Sequence, residues 1–349
     1  MLNMSAERRI GPTYPSTEGT ASTRAPGESH AVGAGLRGAL RALRAAGAAM
    51  SVSEAPLETR PAPSEPPRLQ HAEPREGVTI EVRRVDGDPA IGVQAFLDGI
   101  QESRVLAHWR GGAPLVHGTV AATVRCRAQR TLVSWRADAL RVERQLFVPR
   151  AVVGDDAWRA LAAEYPVSDT LDDAAGGAWH PHELTARALS AVQRRREAAE
   201  TYCAELWCRE GDGPLFVDGG IAGAGAAATS PLAIGVIKSH RTLYVDGDAM
   251  PLVLGLREGE RTTAFTVKSP RRAAVASWYL RLRDAEARDP LWGLVRVEIA
   301  LDGATPERAD LVSRWLMAER TPVSLPDPRW GTMAYGIRLT EEYLRAVTR

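Results

Sequence analysis

PLFVDGG, residues 214–220, is a short apolar run that ends in an aspartate followed by two glycines. The run is too apolar for a strand with one face in water, so we predict a strand in the middle of a sheet. An aspartate at the carboxyl end of such a strand lies at the sheet edge where α/β proteins bind ligands, and the next glycine lets the backbone turn. Asp218 is therefore a candidate site residue.

A second segment has the same form: AFLDGIQES, residues 95–103, carries Asp98 after an apolar run. We interpret Asp98 as the end of a second buried strand. The alternative for both sites is that Asp-Gly only makes a tight turn. Asp246 and Asp302 also precede glycine, and we interpret both as plain hairpin turns. Asp98 and Asp218 differ from them because each follows a run of apolar residues.

The surrounding segments indicate an α/β fold. Over residues 77–148, apolar and polar residues alternate in several runs, which predicts a mixed sheet with hairpins. Apolar residues recur every three or four positions over 184–208, which predicts the clearest helix. Further strands are predicted within 232–301, and helices over 308–319 and 339–347. We therefore predict a mixed sheet flanked by helices.

The N-terminal segment has a different composition. Residues 1–75 are rich in Pro, Gly, Ser, Thr, Ala and Glu and poor in large apolar residues, which predicts a disordered extension. Residues 36–49 are compatible with a short Arg-rich amphipathic helix inside it. Met50 is an alternative translation start, and the ordered domain is placed at 76–349. This composition predicts that removing residues 1–70 leaves the melting temperature unchanged.

The charge balance limits how the chain can bind nucleic acid. The net charge is +1, which excludes a broad basic surface and requires any nucleic-acid site to be a local patch or channel. Of the 44 basic residues, only Lys238 and Lys268 are lysines. Three cysteines without a repeated spacing argue against a disulfide framework and a zinc site. Without a long apolar run or a signal-peptide pattern, we expect a cytoplasmic protein with no membrane span.

The predicted helix between the two aspartates supplies further acidic residues. Glu197 and Glu200 lie three positions apart, so either can lean over the sheet edge and join Asp98 and Asp218. Hard oxygen ligands suit Mg²⁺ or Mn²⁺, which activate water and stabilise the leaving oxygen in phosphodiester hydrolysis. The alternative is that each glutamate is a solvated residue on the helix surface.

Two features adjoin this acidic cluster. Lys238 lies at a strand end, where its ammonium either binds the scissile phosphate as a point charge or faces solvent. Residues 219–225, GGIAGAG, weakly resemble a phosphate-binding loop. They lack the Gly-Lys-Ser/Thr ending, so a loop beside the site is a better interpretation than a nucleotide-binding enzyme.

Five segments in this order resemble the NurA nuclease family, whose members are partners of the HerA ATPase. They are AFLDGIQES, RRREAAE, LFVDGGI, IGVIKSH and AYGIRLTEEYL, and the resemblance covers roughly residues 85–349. It implies an RNase H-like fold and Mn²⁺-dependent DNA cleavage, with Mg²⁺ as the alternative ion. It also implies 5′-to-3′ exonuclease polarity, single-strand endonuclease activity and a homodimer.

The resemblance also assigns residues to roles. Asp98 and Asp218 match the family's metal-binding aspartates. Glu200 fits the intervening glutamate best by spacing, with Glu197 as the alternative ligand. The arginines at 194–196 are candidates for the lining of a DNA channel, or belong to a solvated helix face.

The last segment leaves two functions open. Tyr335 matches the family's late tyrosine, but Tyr343 stands where the family usually has histidine, which puts that step in doubt. One function is a nuclease that resects single-stranded and duplex DNA ends in double-strand break repair, fed by a HerA-type hexameric ATPase. The other is a non-catalytic DNA-binding scaffold subunit of that ATPase complex. The retention of Asp98, Glu200 and Asp218 together favours the nuclease.

Overall fold

The computed structural model describes residues 26–45, 50–52, 66–110, 112–128, 131–171, 179–270, 272–320 and 335–348. The helices of these residues are α1 Pro26–Ala45, α2 Arg150–Val153, α3 Asp155–Glu164, α4 Pro181–Glu210, α5 Met250–Leu254, α6 Pro306–Glu319 and α7 Tyr335–Thr348. The strands are β1 Met50–Val52, β2 Arg68–Gln70, β3 Glu73–Pro74, β4 Val82–Arg84, β5 Ala95–Trp109, β6 Ala113–Ala128, β7 Thr131–Ser134, β8 Leu140–Val148, β9 Val167–Asp169, β10 Leu215–Asp218, β11 Ala233–Ile237, β12 Thr242–Tyr244, β13 Glu260–Thr262, β14 Phe265–Val267, β15 Val275–Arg281 and β16 Leu294–Ala300.

Five strands form the centre of the main sheet in the order β8–β6–β5–β10–β11. β5, β6 and β8 are antiparallel neighbours that follow one another along the chain, whereas β10 runs parallel to β5, and β11 parallel to β10. A parallel pair needs a long crossover, and α4 lies in the connection that returns the chain to β10. When these five strands are numbered 1 to 5 along the chain, their order in the sheet is 3-2-1-4-5, and the second strand, β6, is antiparallel to the others. This arrangement is RNase H-like. The predicted α/β fold with a mixed sheet and flanking helices is therefore confirmed.

The sheet continues beyond this centre. β16 pairs antiparallel with β11, and β15 and β14 follow outward from it, which confirms strands within the predicted region 232–301. The predicted helix over 184–208 is confirmed and extends to Pro181–Glu210. Its start is set by the Nδ1 atom of His180, which accepts a hydrogen bond from the backbone N–H of His182 at 3.2 Å, and by proline at the first helical position.

Two helices cover opposite faces of the central strands. Side chains alternate between the faces along a strand. Leu97 of β5 packs in a core with Cys203 of α4. Its neighbour Phe96 packs in a second core with Phe216 of β10 and Ile337 of α7. Asp98 and Asp218 each lie two residues after one of these phenylalanines, so they project from the face that α7 covers. None of the described helices is long and apolar enough to cross a membrane.

One strand boundary differs from the prediction. We expected Asp98 to end its strand, but β5 starts three residues before Asp98 and continues through Gly99 to Trp109. The reason is its partner β6, which pairs with β5 along nearly its whole length, including Asp98 opposite Thr123. Asp98 therefore lies near the start of a long strand, whereas Asp218 ends β10 as predicted.

Parts of the predicted disordered segment are structured. Residues 26–45 form α1, as the amphipathic pattern over 36–49 indicated in part, and β1 pairs with the far end of β5. The small residues of α1 let it approach α3 closely, because even a methyl group at Gly38 would collide with the Glu164 side chain. The structure describes residues 26–45, 50–52 and 66–75 of this predicted extension. The rest of 1–75 lies outside the described residues, and the domain limit at 76 stays a prediction.

This packing reverses the expected effect of an N-terminal deletion. Leu43 is fully buried in a core with Leu161 and Tyr165. Leu43→Ala should lower the free energy of unfolding by about 2–5 kcal/mol because it leaves a cavity. Arg41→Ala, on the exposed side of α1, is the matched control and should change it by about 0.5 kcal/mol or less. Chemical denaturation measures both, and equal small effects would contradict the described packing of α1.

Candidate metal centre

The register between β5 and β10 places two aspartates side by side. The last described pair of this parallel ladder joins Leu97 to Val217. The next residues along the two strands are Asp98 and Asp218, and both project from the same face. The structure thus brings together two carboxylates that lie far apart in sequence.

Asp98 is the more buried of the two, at 5% exposure. Its Oδ1 atom accepts a hydrogen bond from the backbone N–H of Gly99 at 2.7 Å. Burial raises the pKa of Asp98 well above its ordinary value, and the negative charges of Asp218 and Glu200 raise it further, against the opposing effect of Lys238. Ionisation of Asp98 is therefore disfavoured unless positive charge lies nearby.

Asp218 has a cationic partner inside the protein. Its Oδ2 atom lies 2.5 Å from the Nζ atom of Lys238, which follows β11 directly. Both side chains are partly buried, with 19% of Asp218 and 26% of Lys238 exposed. Lys238 therefore lies beside Asp218, with a carboxylate as its partner.

Glu200 reaches the strand from the α4 side. A methyl group at Gly99 would collide with the Glu200 carboxylate, so the glycine provides the space in which this carboxylate lies. Burial raises the pKa of Glu200 to about 7, Asp218 and Glu197 add to the rise, and Arg196 opposes it. Arg196 forms an ion pair with Glu200 and also donates to the Oε1 atom of Gln101 at 3.1 Å.

Most of the other residues predicted on α4 are bound to neighbouring side chains. Glu197, the alternative ligand, is exposed and accepts a hydrogen bond from Gln193 at 2.9 Å. Of the three consecutive arginines, Arg195 pairs with Glu143 and Arg196 with Glu200, while Arg194 is exposed. Two of the three guanidinium groups proposed to line a channel are therefore already bound to carboxylates.

The two tyrosines belong to α7, on the face from which the aspartates project. Tyr335 begins this helix, and its side chain lies outside the described part of the structure. The Tyr343 ring carries the Arg125 guanidinium, whose carbon lies 4.3 Å from the ring centre. This stacking gives Tyr343 a packing contact with β6.

The loop after Asp218 is held by a residue that sequence reasoning missed. Glu298 of β16 is 2% exposed, and its Oε2 atom accepts the backbone N–H groups of Ile221 at 2.9 Å and Ala222 at 3.4 Å. Its Oε1 atom accepts from Arg296 at 2.6 Å. The Glu298 carboxylate thus binds backbone N–H groups of the kind that a phosphate-binding loop presents to its ligand. The signal was available, because Arg296 and Glu298 interrupt an otherwise apolar strand.

The carboxylates present fit a hard divalent cation. No three His, Cys, Asp or Glu side chains converge at metal-ligand distance anywhere in the described ranges. Mg²⁺ is commonly held by only one or two protein carboxylates, with waters and substrate phosphates as its other ligands. Asp98 and Asp218 suit that requirement as a pair. Glu200 approaches from the other side of β5 and adds negative charge nearby.

Comparison with solved structures finds distant similarity only. No protein-family model matches the chain, and no curated protein does. The chain is similar to a solved structure described as the NurA nuclease from Sulfolobus solfataricus, with 12% sequence identity and a TM-score of 0.43. The similarity covers 75% of this chain and 83% of that chain.

The role of Glu298 can be tested by stability. Glu298→Ala should lower the free energy of unfolding by about 3–5 kcal/mol, because it leaves Arg296 buried without its carboxylate and frees two backbone donors. Glu102→Ala removes an exposed strand carboxylate and should have an effect of about 0.5 kcal/mol or less. Urea unfolding of both variants measures this, and a tolerated Glu298→Ala would mean that the loop does not depend on this carboxylate.

Proposed function

We propose that this chain is a divalent-metal-dependent DNA nuclease of the NurA type. The observation that carries the proposal is the pair of neighbouring carboxylates, Asp98 and Asp218, on one face of an RNase H-like sheet. The sequence resemblance assigns the same two residues to metal binding. Geometry and sequence therefore support one site by separate routes.

In this proposal Asp98 and Asp218 hold Mn²⁺ or Mg²⁺ through their oxygens, and Glu200 is the third acidic residue. When bound, such an ion supplies an activated water and stabilises the leaving oxygen of a phosphodiester. Gly99 admits the Glu200 carboxylate to the strand, and Arg196 restrains it there.

The substrate and assembly part of the proposal depends on the sequence resemblance. We propose cleavage of single-stranded DNA and duplex ends, with 5′-to-3′ polarity, in end resection driven by a HerA-type ATPase ring. The physical motive is the net charge of +1, which does not favour holding a polyanion over a broad surface. A narrow channel between two subunits concentrates a few arginines around one strand. A translocating motor would feed that channel.

A second candidate is a non-catalytic DNA-binding scaffold subunit of the same ATPase complex. It is favoured by the absence of a converging third acid among the described residues and by Tyr343 in place of the family's histidine. The two functions differ in one measurement. A scaffold binds end-labelled single-stranded DNA but leaves it intact with Mn²⁺, whereas a nuclease cleaves it with Mn²⁺ or Mg²⁺ and not with EDTA.

Charge removal at the pair tests the nuclease directly. Asp98→Asn and Asp218→Asn should each reduce Mn²⁺-dependent cleavage by more than the roughly 10–100-fold that loss of an outer-shell partner costs a metal site. The circular dichroism spectrum should be unchanged, because asparagine keeps the shape and removes a buried like charge. Asp302→Asn is the matched control, since this aspartate also precedes glycine but lies exposed in a turn. Wild-type cleavage by Asp98→Asn would show that the site lies elsewhere.

The proposed homodimer is tested by measuring its molecular mass in solution. We expect size-exclusion chromatography with light scattering to give twice the 37.7 kDa of one chain at micromolar concentration. Addition of a HerA-type ATPase should shift this species to a larger complex, because the ring is proposed to feed the shared channel. A strict monomer that degrades DNA without any ATPase would overturn the assembly while leaving the metal centre standing.

A further inference from the structure

The chain contains only two lysines, and their surroundings are different. Lys238 lies 2.5 Å from Asp218, and Lys268 lies 2.6 Å from Glu73. The Lys238 side chain is 26% exposed and the Lys268 side chain is 65% exposed. Lys268 thus belongs to an ordinary surface ion pair, which contributes little to the stability of the protein. Lys238 is the partly buried partner of a carboxylate in the candidate metal centre.

The contacts of Lys238 and Arg196 distinguish two kinds of counter-ion. Arg196 holds Glu200 and also donates to Gln101, so its planar fork is fixed by two neighbours. Lys238 makes one described side-chain contact, to Asp218 Oδ2, through a compact ammonium on a flexible four-carbon stem. Its positive charge also acts on the neighbouring Asp98. The ammonium of Lys238 therefore offsets the negative charge of both aspartates, and its one described hydrogen bond is to Asp218.

We propose that Lys238 is the resident counter-ion of the Asp98–Asp218 pair and competes with a divalent cation for the Oδ2 atom of Asp218. This inference rests on the proposed function. The Oδ2 atom of Asp218 lies 2.5 Å from the Lys238 ammonium, so its lone pair on that side is already used in this bond. A divalent ion on the same carboxylate would also place two like charges close together in a partly buried site. The Lys238–Asp218 bond therefore competes with metal binding at Oδ2.

The exchange has a consequence for the reaction. Once it leaves Asp218, the ammonium remains tethered to the end of β11, beside the carboxylate pair. It is then a free cation next to the position where a phosphodiester would meet the metal. Lys238 is thus a positioning residue without metal, because it holds the two aspartates together as a charged pair. It becomes available to the substrate phosphate only in the metal-bound protein.

We expect removal of the Lys238 charge to have opposite effects on the melting temperature and on the affinity for the metal. Without metal, Lys238→Gln should lower the melting temperature, because two neighbouring carboxylates lose their shared cation. With metal, the same variant should bind Mg²⁺ or Mn²⁺ about 5-fold or more tightly than wild type, since one competitor is gone. A lysine with a merely structural role would weaken both properties. Lys238→Arg should restore the melting temperature, and Lys268→Gln should match wild type in both measurements.

The full chain, labelled with ¹³Cε-lysine, tests the displacement directly, because two lysines give two side-chain signals. Titration with Mg²⁺ alone should shift the Lys238 signal and leave the Lys268 signal in place. Calorimetry gives Mg²⁺ affinities for wild type, Lys238→Gln and Lys268→Gln. Metal binding by the wild type with an unmoved Lys238 signal, or weaker metal binding by Lys238→Gln, overturns this inference and leaves the metal centre standing. Failure of the wild type and Lys238→Gln to bind Mg²⁺ or Mn²⁺ overturns the proposed function together with it.

Discussion

The parallel pairing of β5 with β10 is the constraint on which the candidate site depends. The rings of Phe96 and Phe216 meet edge to face with their centres 6.1 Å apart, fully buried on the face that α7 covers. This contact is made between directly paired residues, so it fixes the register of the two strands. A slip of one residue would turn Asp98 toward α4 and separate it from Asp218. Core packing thus determines where the carboxylates meet.

Two neighbouring carboxylates repel each other, and the cationic residues around the site offset this repulsion in different ways. Burial and like charge disfavour ionisation of Asp98. A lysine balances the pair from the end of β11, whereas an arginine fixed by two neighbours balances Glu200 on the opposite face. The loop after Asp218 is anchored independently by Glu298. This loop is therefore held independently of the Lys238–Asp218 bond.

The sequence predicted those parts of the molecule that depend on local pattern. The apolar period identified α4, and the apolar run before an Asp-Gly located Asp218 at a strand end. Tertiary contacts decided the rest. β5 continues past Asp98 because β6 pairs with it, and Gly99 is required there by Glu200 and not by a turn. Glu298 was missed because its partners are backbone N–H groups of a loop that is distant in sequence, although Arg296 and Glu298 interrupt an otherwise apolar strand.

The topology itself explains why the third carboxylate comes from α4. A parallel neighbour for β5 cannot be reached through a tight turn, so the chain must cross the sheet in a long connection before β10 begins. That connection ends in α4, which has to pack against β5 and β6 to be stable, as the burial of Ala199 and Cys203 shows. Glu200 lies between these two anchors and is therefore carried to the strand at Gly99. The helix that makes the parallel pair possible thus also delivers the acid beside it, and the site follows from the connectivity of the sheet.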